Sequence, residues 1–350
     1  MANILYDLID LAELTGYVRA YDNEVLFNEF ALQQYLPNQF VEDIEFKVRK
    51  GGFKDVETAE YRPWDTPAPM TGRQGISFMR GEIAPLSRQI ALGEEEMLRL
   101  RQLQSGSDTD LVNAIYDDAT RMIRSVQARV ELARGQLLTT GKVTLNENGL
   151  QLEADFGMKS THLPVAAASW AVNTTDILTD LLTWQELYVD DTGVEPGGIL
   201  MSRKILGYMI NNQTMREAAS FGGIVPGRIN AEAVDAILAG HGLPPVTLYD
   251  TRVRVGGGNN SPGTSTRVIP DDKLLFTPPA GETVGSTLYG ITAEAIKLAA
   301  KGMIVQSDMP GVVAVVTGND HPVQTFTVGT AVALPVMPAP DLIICADVVP

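Results

Sequence analysis

Residues 108–140 read DTDLVNAIYDDATRMIRSVQARVELARGQLLTT. Leu111, Ile115, Ala119, Met122, Val126, Val130, Ala133 and Leu137 follow one another at steps of three or four, which places them on one unbroken face of an α-helix. Ser107 or Asp108 can cap its start by accepting a backbone N–H, and Gly141 can take the left-handed conformation that closes it. Asp117 with Arg121 and Glu131 with Arg134 stand four and three residues apart, a spacing that supports ion pairs on the outer face. At about 1.5 Å per residue the stretch makes a rod of about 50 Å. Ordinary globular helices run nearer three turns, so this helix reads as a structural spine. A coiled coil or bundle would need a second helix of the same kind, and the sequence offers none.

Upstream, residues 1–45 read as an arm. Ile4, Leu5, Leu8, Leu11 and Ala12 sit at helical spacing among Asp7, Asp10 and Glu13, and a second apolar stretch around Leu26, Phe27 and Phe30 ends at Pro37. The arm holds nine acids and one base, Arg19. Residues 46–92 reverse the balance, with eight bases, Lys47, Arg49, Lys50, Lys54, Arg62, Arg73, Arg80 and Arg88, against five acids. Alternating pieces Phe46-Lys-Val-Arg and Ile76-Ser-Phe-Met-Arg-Gly-Glu-Ile flank a tract carrying Pro63, Pro67, Pro69, Gly72 and Gly75. This is the pattern of a long two-stranded hairpin leaving the body. An isolated hairpin is marginal in water, so it needs a partner surface.

Downstream, Lys142–Leu145 and Leu150–Phe156 alternate around a turn at Asn146–Gly149, predicting a hairpin that ends at His162-Leu-Pro164. Residues 165–290 read as mixed α/β. Thr174 or Thr175 can cap a helix through Tyr188, Ile199-Leu-Met is a short buried strand, and helices are expected at 203–213 and 230–239. Val246–Tyr249 and Thr266–Ile269 flank a polar loop, and Lys273-Leu-Leu-Phe forms another strand. From 287 onward the chain reads as strand-rich to Ile343-Ile344-Cys345. The expected units are therefore an arm at 1–45, an extended loop at 46–92, a spine-and-hairpin unit at 93–164, an α/β unit at 165–290, and return strands with the C-terminal segment at 291–350.

The 350 residues are 45% hydrophobic, which fits a folded chain with one large core or two modest ones. The net charge of −16 argues against a sequence-specific nucleic-acid reader and against an anionic membrane surface. No run of 18 apolar residues exists, and the N-terminus carries acids where a signal peptide carries bases, so synthesis in a cytosol is expected. Cys345, the single cysteine, rules out an intrachain disulfide. His162, His241 and His321 fall in different elements without metal-ligand spacing, each reading as a loop histidine. Asp190-Asp191 and Asp271-Asp272 read as solvated acids in turns. Gly256-Gly-Gly is followed by Asn-Asn-Ser-Pro where a dinucleotide loop needs a helix, so a hairpin loop is the reading. No catalytic, cofactor-binding or metal-binding residue is expected.

The order of parts, with Gly198-Ile-Leu-Met-Ser-Arg-Lys, Ile269-Pro-Asp-Asp-Lys-Leu-Leu-Phe and Val332-Ala-Leu-Pro-Val-Met-Pro-Ala-Pro-Asp, resembles the major capsid proteins of tailed phages. It is most similar to the lambda-type major capsid protein E family, over nearly the whole chain. The resemblance implies an α+β, Hong Kong 97-like capsid fold with N-arm, extended loop, peripheral domain and axial domain. It implies a head protein that assembles into pentamers and hexamers, forming an icosahedral shell around double-stranded DNA without sequence-specific binding. Its location would be the virion capsid, after synthesis in the host bacterial cytoplasm. An arm starting at Met1 implies a separate scaffolding protein, beside a portal protein, and the resemblance leaves open whether a decoration protein is used. The fold's namesake crosslinks a Lys–Asn pair; Lys47, Lys50 and Lys54 lie in the extended loop, but no acceptor is marked. The alternatives are an encapsulin-like cargo nanocompartment shell, which shares the fold, and a phage tail-tube protein, which lacks a spine helix.

Overall fold

The computed structural model describes residues 30–50, 77–103, 109–147, 149–220, 225–256, 263–300 and 311–350, with Leu14, Gly16, Tyr17, Tyr61 and Trp64. The chain enters through strands β1 (Asn38–Phe40) and β2 (Glu45–Lys50), then β3 (Ser77–Glu82) and β4 (Pro85–Leu92). Helix α1 (Glu94–Leu103) and the spine helix α2 (Thr109–Thr140) follow. The spine's 32 residues span roughly 48 Å. From Ile115 on, every position of its expected apolar face is buried, namely Ile115, Ala119, Met122, Val126, Val130, Ala133 and Leu137. Gly141 closes the helix with φ 69°, its N–H donating to the Leu137 carbonyl. The proposed caps Ser107 and Asp108 lie outside the described residues, as do the predicted helix at residues 4–12 and most of the extended loop.

The spine lies across a five-stranded sheet. Its hub is β14 (Val323–Val336), which pairs with β4 on one side and on the other with β13 (Val313–Asp320) and then β12 (Ser286–Gly290). β1 adds to β12 in parallel. Helix and sheet meet closely at Gly329, where a Cβ would stand 2.7 Å from that of Met122. Beyond the spine, β5 (Lys142–Glu147) and β6 (Leu150–Asp155) form the expected hairpin.

A second sheet runs β15 (Ile344–Asp347), β11 (Lys273–Thr277), β7 (Gly198–Met201), β8 (Val246–Leu248), with helices α3 (Ile177–Thr192), α4 (Arg203–Asn211), α5 (Gln213–Ala218) and α6 (Ala231–Gly240) packed on it. Successive strand residues serve opposite faces. Leu200, Leu275 and Cys345 enter the core shared with the spine helix, while Ile199, Met201, Leu274, Phe276, Ile344 and Ala346 enter the helical core. Burial on both faces explains why these strands read as continuous apolar runs.

Several readings need correction. Asp176, not Thr174 or Thr175, caps α3 by accepting from the Thr179 N–H; the Thr175 hydroxyl donates instead to the Ser169 carbonyl. The strands flanking the Gly-rich loop are β9 (Arg252–Val255) and β10 (Thr264–Arg267), because Arg252-Val-Arg-Val alternates while Val246–Leu248 is drawn into the second sheet. The stretch after 287 is not strand throughout: α7 (Ala293–Ala300) intervenes, with the Thr292 hydroxyl accepting from the Ala295 N–H. Helix α1 was not expected; three glutamates in its first turn favour the positive end of its dipole.

The largest correction concerns the spine itself. Glu131 and Arg134 do not decorate its outer face but are 0% and 1% exposed. Arg134 donates to Glu131 at 3.1 Å, to the Thr287 hydroxyl at 2.9 Å and to the Asn38 amide oxygen at 2.6 Å. Glu131 also accepts from the Leu32 N–H at 3.0 Å and the Tyr249 hydroxyl at 2.7 Å. Burial, then the Glu131 carboxylate, raises the Tyr249 phenol well above its ordinary range. Arg121 pairs with Asp118, at 3.5 Å, and not with the expected Asp117 among the described residues.

Removing one member of a buried ion pair strands the other charge. Glu131→Ala and Arg134→Ala are each expected to lower subunit stability by about 3–5 kcal/mol. The double variant should cost less than the sum of the two, as read from denaturant midpoints in a double-mutant cycle.

Candidate functional site

The histidines do not converge. His241 caps its own helix, its Nδ1 lying 2.8 Å from the Ile237 carbonyl, and His321 is exposed at the turn between β13 and β14. His162 is not a simple loop residue. It is fully buried, with Nε2 2.7 Å from Asp191 Oδ2 and Nδ1 2.7 Å from the Ile343 carbonyl. Asp191 sits in the last turn of α3 and also takes Lys159 at 3.1 Å; Lys159 reaches Asp341 at 3.4 Å. The His162 hydrogen bond, more than Lys159, holds the Asp191 carboxyl below its ordinary value. This group ties the end of α3 to the segment that leads into β15. Both imidazole nitrogens are engaged, so its chemistry is that of a clamp. The sequence signal for it was weak: a lone histidine before Leu163-Pro164 gives no hint that Asp191 lies opposite.

The remaining candidates are equally structural. Cys345 is buried in β15 and burial pushes its thiol up to about 12, which leaves little thiolate at neutral pH. Asp271 accepts at its carbonyl from Ser202 and pairs with Lys204, so the Asp271-Asp272 turn anchors the start of α4. Among the described residues no three His, Cys, Asp or Glu side chains could hold a metal ion, and no helix is long and apolar enough to cross a membrane. The Gly256–Gly258 run lies largely outside the described residues.

What the described residues do offer is surface. β2 and β3 pair only with each other there, forming a ribbon that leaves the body at Glu45 and Glu82. Its root is fixed by Phe46, 4% exposed, whose ring lies 2.7 Å from where a Cβ on Gly81 would be. Tyr61 and Trp64, further along the same loop, are fully exposed. Phe40 at the end of β1 and Ile44 just before β2 are more than half exposed. Large aromatic side chains left in water mark an interaction surface.

The chain is similar in structure to a phage-related protein from Bordetella bronchiseptica RB50, with 14% identity, 96% of each chain covered and a TM-score of 0.57. It is also similar to a structure assigned to a prophage capsid protein of E. coli CFT073, with 15% identity, 95% of this chain and 98% of that one covered, and a TM-score of 0.60. No curated protein matches the sequence. A spine helix across a five-stranded sheet, an outgoing ribbon and a second α/β layer define the Hong Kong 97 class of capsid shell proteins. The chain belongs to the phage major capsid protein E family, whose model matches residues 10–348. Capsid shell formation, and hence self-association, is its function.

Replacing His162 is expected to cost stability, contrary to the sequence reading of it as a loop histidine. His162→Ala should lower the unfolding free energy by about 1–3 kcal/mol, since two buried hydrogen bonds lose their partner. The Asp191 carboxyl is held below its ordinary value of 3.8, so its contribution is complete above that pH and is lost as pH falls further. The wild-type melting temperature should therefore fall more steeply below about pH 4 than that of Asp191→Asn.

Proposed function

We propose that the chain is the head shell subunit of a tailed phage. It assembles into pentamers and hexamers that close an icosahedral shell around double-stranded DNA, held without sequence-specific contacts. It acts by packing and carries no catalytic step. Residues 93–164, with return strands from 291 on, form the peripheral domain; residues 165–290 form the axial domain directed toward each symmetry axis. The arm at 1–45 and the extended loop at 46–92 lie on neighbouring subunits. The protein is made in the host bacterial cytoplasm and meets a separate scaffolding protein and a portal protein. The family match over residues 10–348 carries this reading. The ribbon supports it, because a polar two-stranded hairpin gains little by itself in water.

Electron microscopy of the expressed chain with its scaffolding protein is expected to reveal closed shells; small discrete oligomers alone would count against the reading. Deleting residues 55–75 should leave a soluble subunit that closes no stable shell. Arg62→Glu with Arg73→Glu and Arg80→Glu should weaken assembly, and added salt should narrow the difference from wild type.

A further inference from the structure

In a chain of net charge −16, residues 251–270 contain three arginines and no acid. The pairing of β9 with β10 sets Arg252 directly opposite Arg267. Strand alternation buries Val253 and leaves Arg252 and Arg254 exposed. The nearest acid in sequence, Asp250, is already engaged by Arg267 and by Arg203 at 3.4 Å. Among the described residues no acid pairs with Arg252 or Arg254. With Arg124 and Ala128 of the spine helix, Phe30 and Val253, they line an open cleft of about 560 Å³. Like charges directly opposite each other on paired strands are unfavourable. Asp250 compensates Arg267, so the charge that an incoming carboxylate surface would neutralise is that of Arg252 and Arg254.

The same subunit carries such a surface. Arg124 and Asp117 share the exposed stripe of the spine helix, seven residues and so about 10 Å apart. At the Asp117 end, Glu95 and Glu96 of α1 are exposed as well. The Asp118 carboxyl registers the crowding: burial raises it, Arg121 pulls it back, and Asp117 and Glu96 push it up further. Arg99 holds Glu95 and Arg121 holds Asp118, which leaves Glu96 and Asp117 as the acids of this surface; with Arg252 and Arg254 in the cleft, each copy carries both halves of a contact.

We propose that the cleft at Arg252 and Arg254 is an assembly contact that receives the acidic surface at Glu96 and Asp117 of a second copy of this chain. The proposal rests on the shell-forming reading and names residues that would carry one of its interfaces. Charge complementarity within a single sequence selects the occupant. Opposed charges on both partners set register and reject wrong pairings, because a misaligned copy brings like charges together.

The test is a charge swap in the full-length chain. Arg252→Glu with Arg254→Glu is expected to raise the protein concentration needed for shell formation by about tenfold or more, and Glu96→Arg with Asp117→Arg to do the same. All four residues are exposed, so circular dichroism should match wild type. Mixing the two variants, or combining all four substitutions in one chain, should restore assembly. Should the first reversal impair folding, Arg252→Gln with Arg254→Gln carries the same expectation at about threefold. Assembly indifferent to these changes, or lost without rescue by the swap, overturns the contact. Normal shells of the Arg252→Glu, Arg254→Glu variant that retain less DNA also overturn it, and make nucleic-acid phosphate the occupant. A wild-type chain that forms no shells with its scaffolding protein removes the functional reading itself, whereas normal wild-type shells with indifferent variants remove only this contact.

Discussion

The carboxylate of Glu131 and the guanidinium of Arg134 sit one helical turn apart in the middle of the molecule, sealed from water. Taking two such charges out of water costs several kcal/mol each, and their attraction offsets that only when the remaining hydrogen-bonding positions are filled. Here they are filled by parts of the chain distant in sequence: the Leu32 N–H and Asn38 from the incoming arm, Thr287 from the first sheet and Tyr249 from beyond the second. Thr287 in turn donates to the Leu36 carbonyl. Apolar packing is tolerant of small slides, but a guanidinium whose three nitrogens each donate to a different partner is not. The pair therefore sets the position of the arm's exit and of both sheets on one helix. Its role is specification of geometry as much as stability.

That geometry has a second support in the four-stranded sheet, whose alternate residues belong to different cores. A change at Leu275 is felt beside the spine helix and a change at Phe276 among helices α3 to α6. The His162, Asp191 and Lys159 group then joins the end of α3 to the chain that returns as β15. Two packed units are thereby coupled by a shared wall and a polar clamp, which suits a subunit that must present several surfaces in fixed relation to its neighbours.

How much of this the sequence carried depends on the range of the interaction. The spine helix was legible because its signal is local and repeated, from Ile115 to Leu137. Glu131 and Arg134 were legible as a pair yet misplaced, because a spacing of three gives proximity and says nothing about what covers the pair. The apolar face was read as one stripe, whereas Ile123, Gln127 and Leu138 are buried too, so the helix is enclosed on more than one side. His162 failed for a related reason: its partners lie 29 and 181 residues away. Strand Arg252–Val255 was missed because two arginines in four residues read as loop, although Val253 between them is core. The wrong cap at Thr175 reflects a choice among neighbouring oxygen-bearing side chains that only backbone direction decides.

The outer parts follow a different logic from the inner ones. Inside, nearly every charge has a partner drawn from the same chain. Outside, the ribbon of β2 and β3 is rooted by Phe46 against Gly81 and then leaves the protein, while Tyr61 and Trp64 lie wholly in water. A subunit that had to be stable and soluble alone would gain by covering these groups. For a subunit that meets copies of itself, each weak surface recurs at every equivalent interface, so modest contacts add across the assembly while each remains reversible enough to correct misplaced neighbours. Strong internal polar locks combined with individually weak external contacts are what that requirement selects: the subunit keeps its shape while the lattice is still free to anneal.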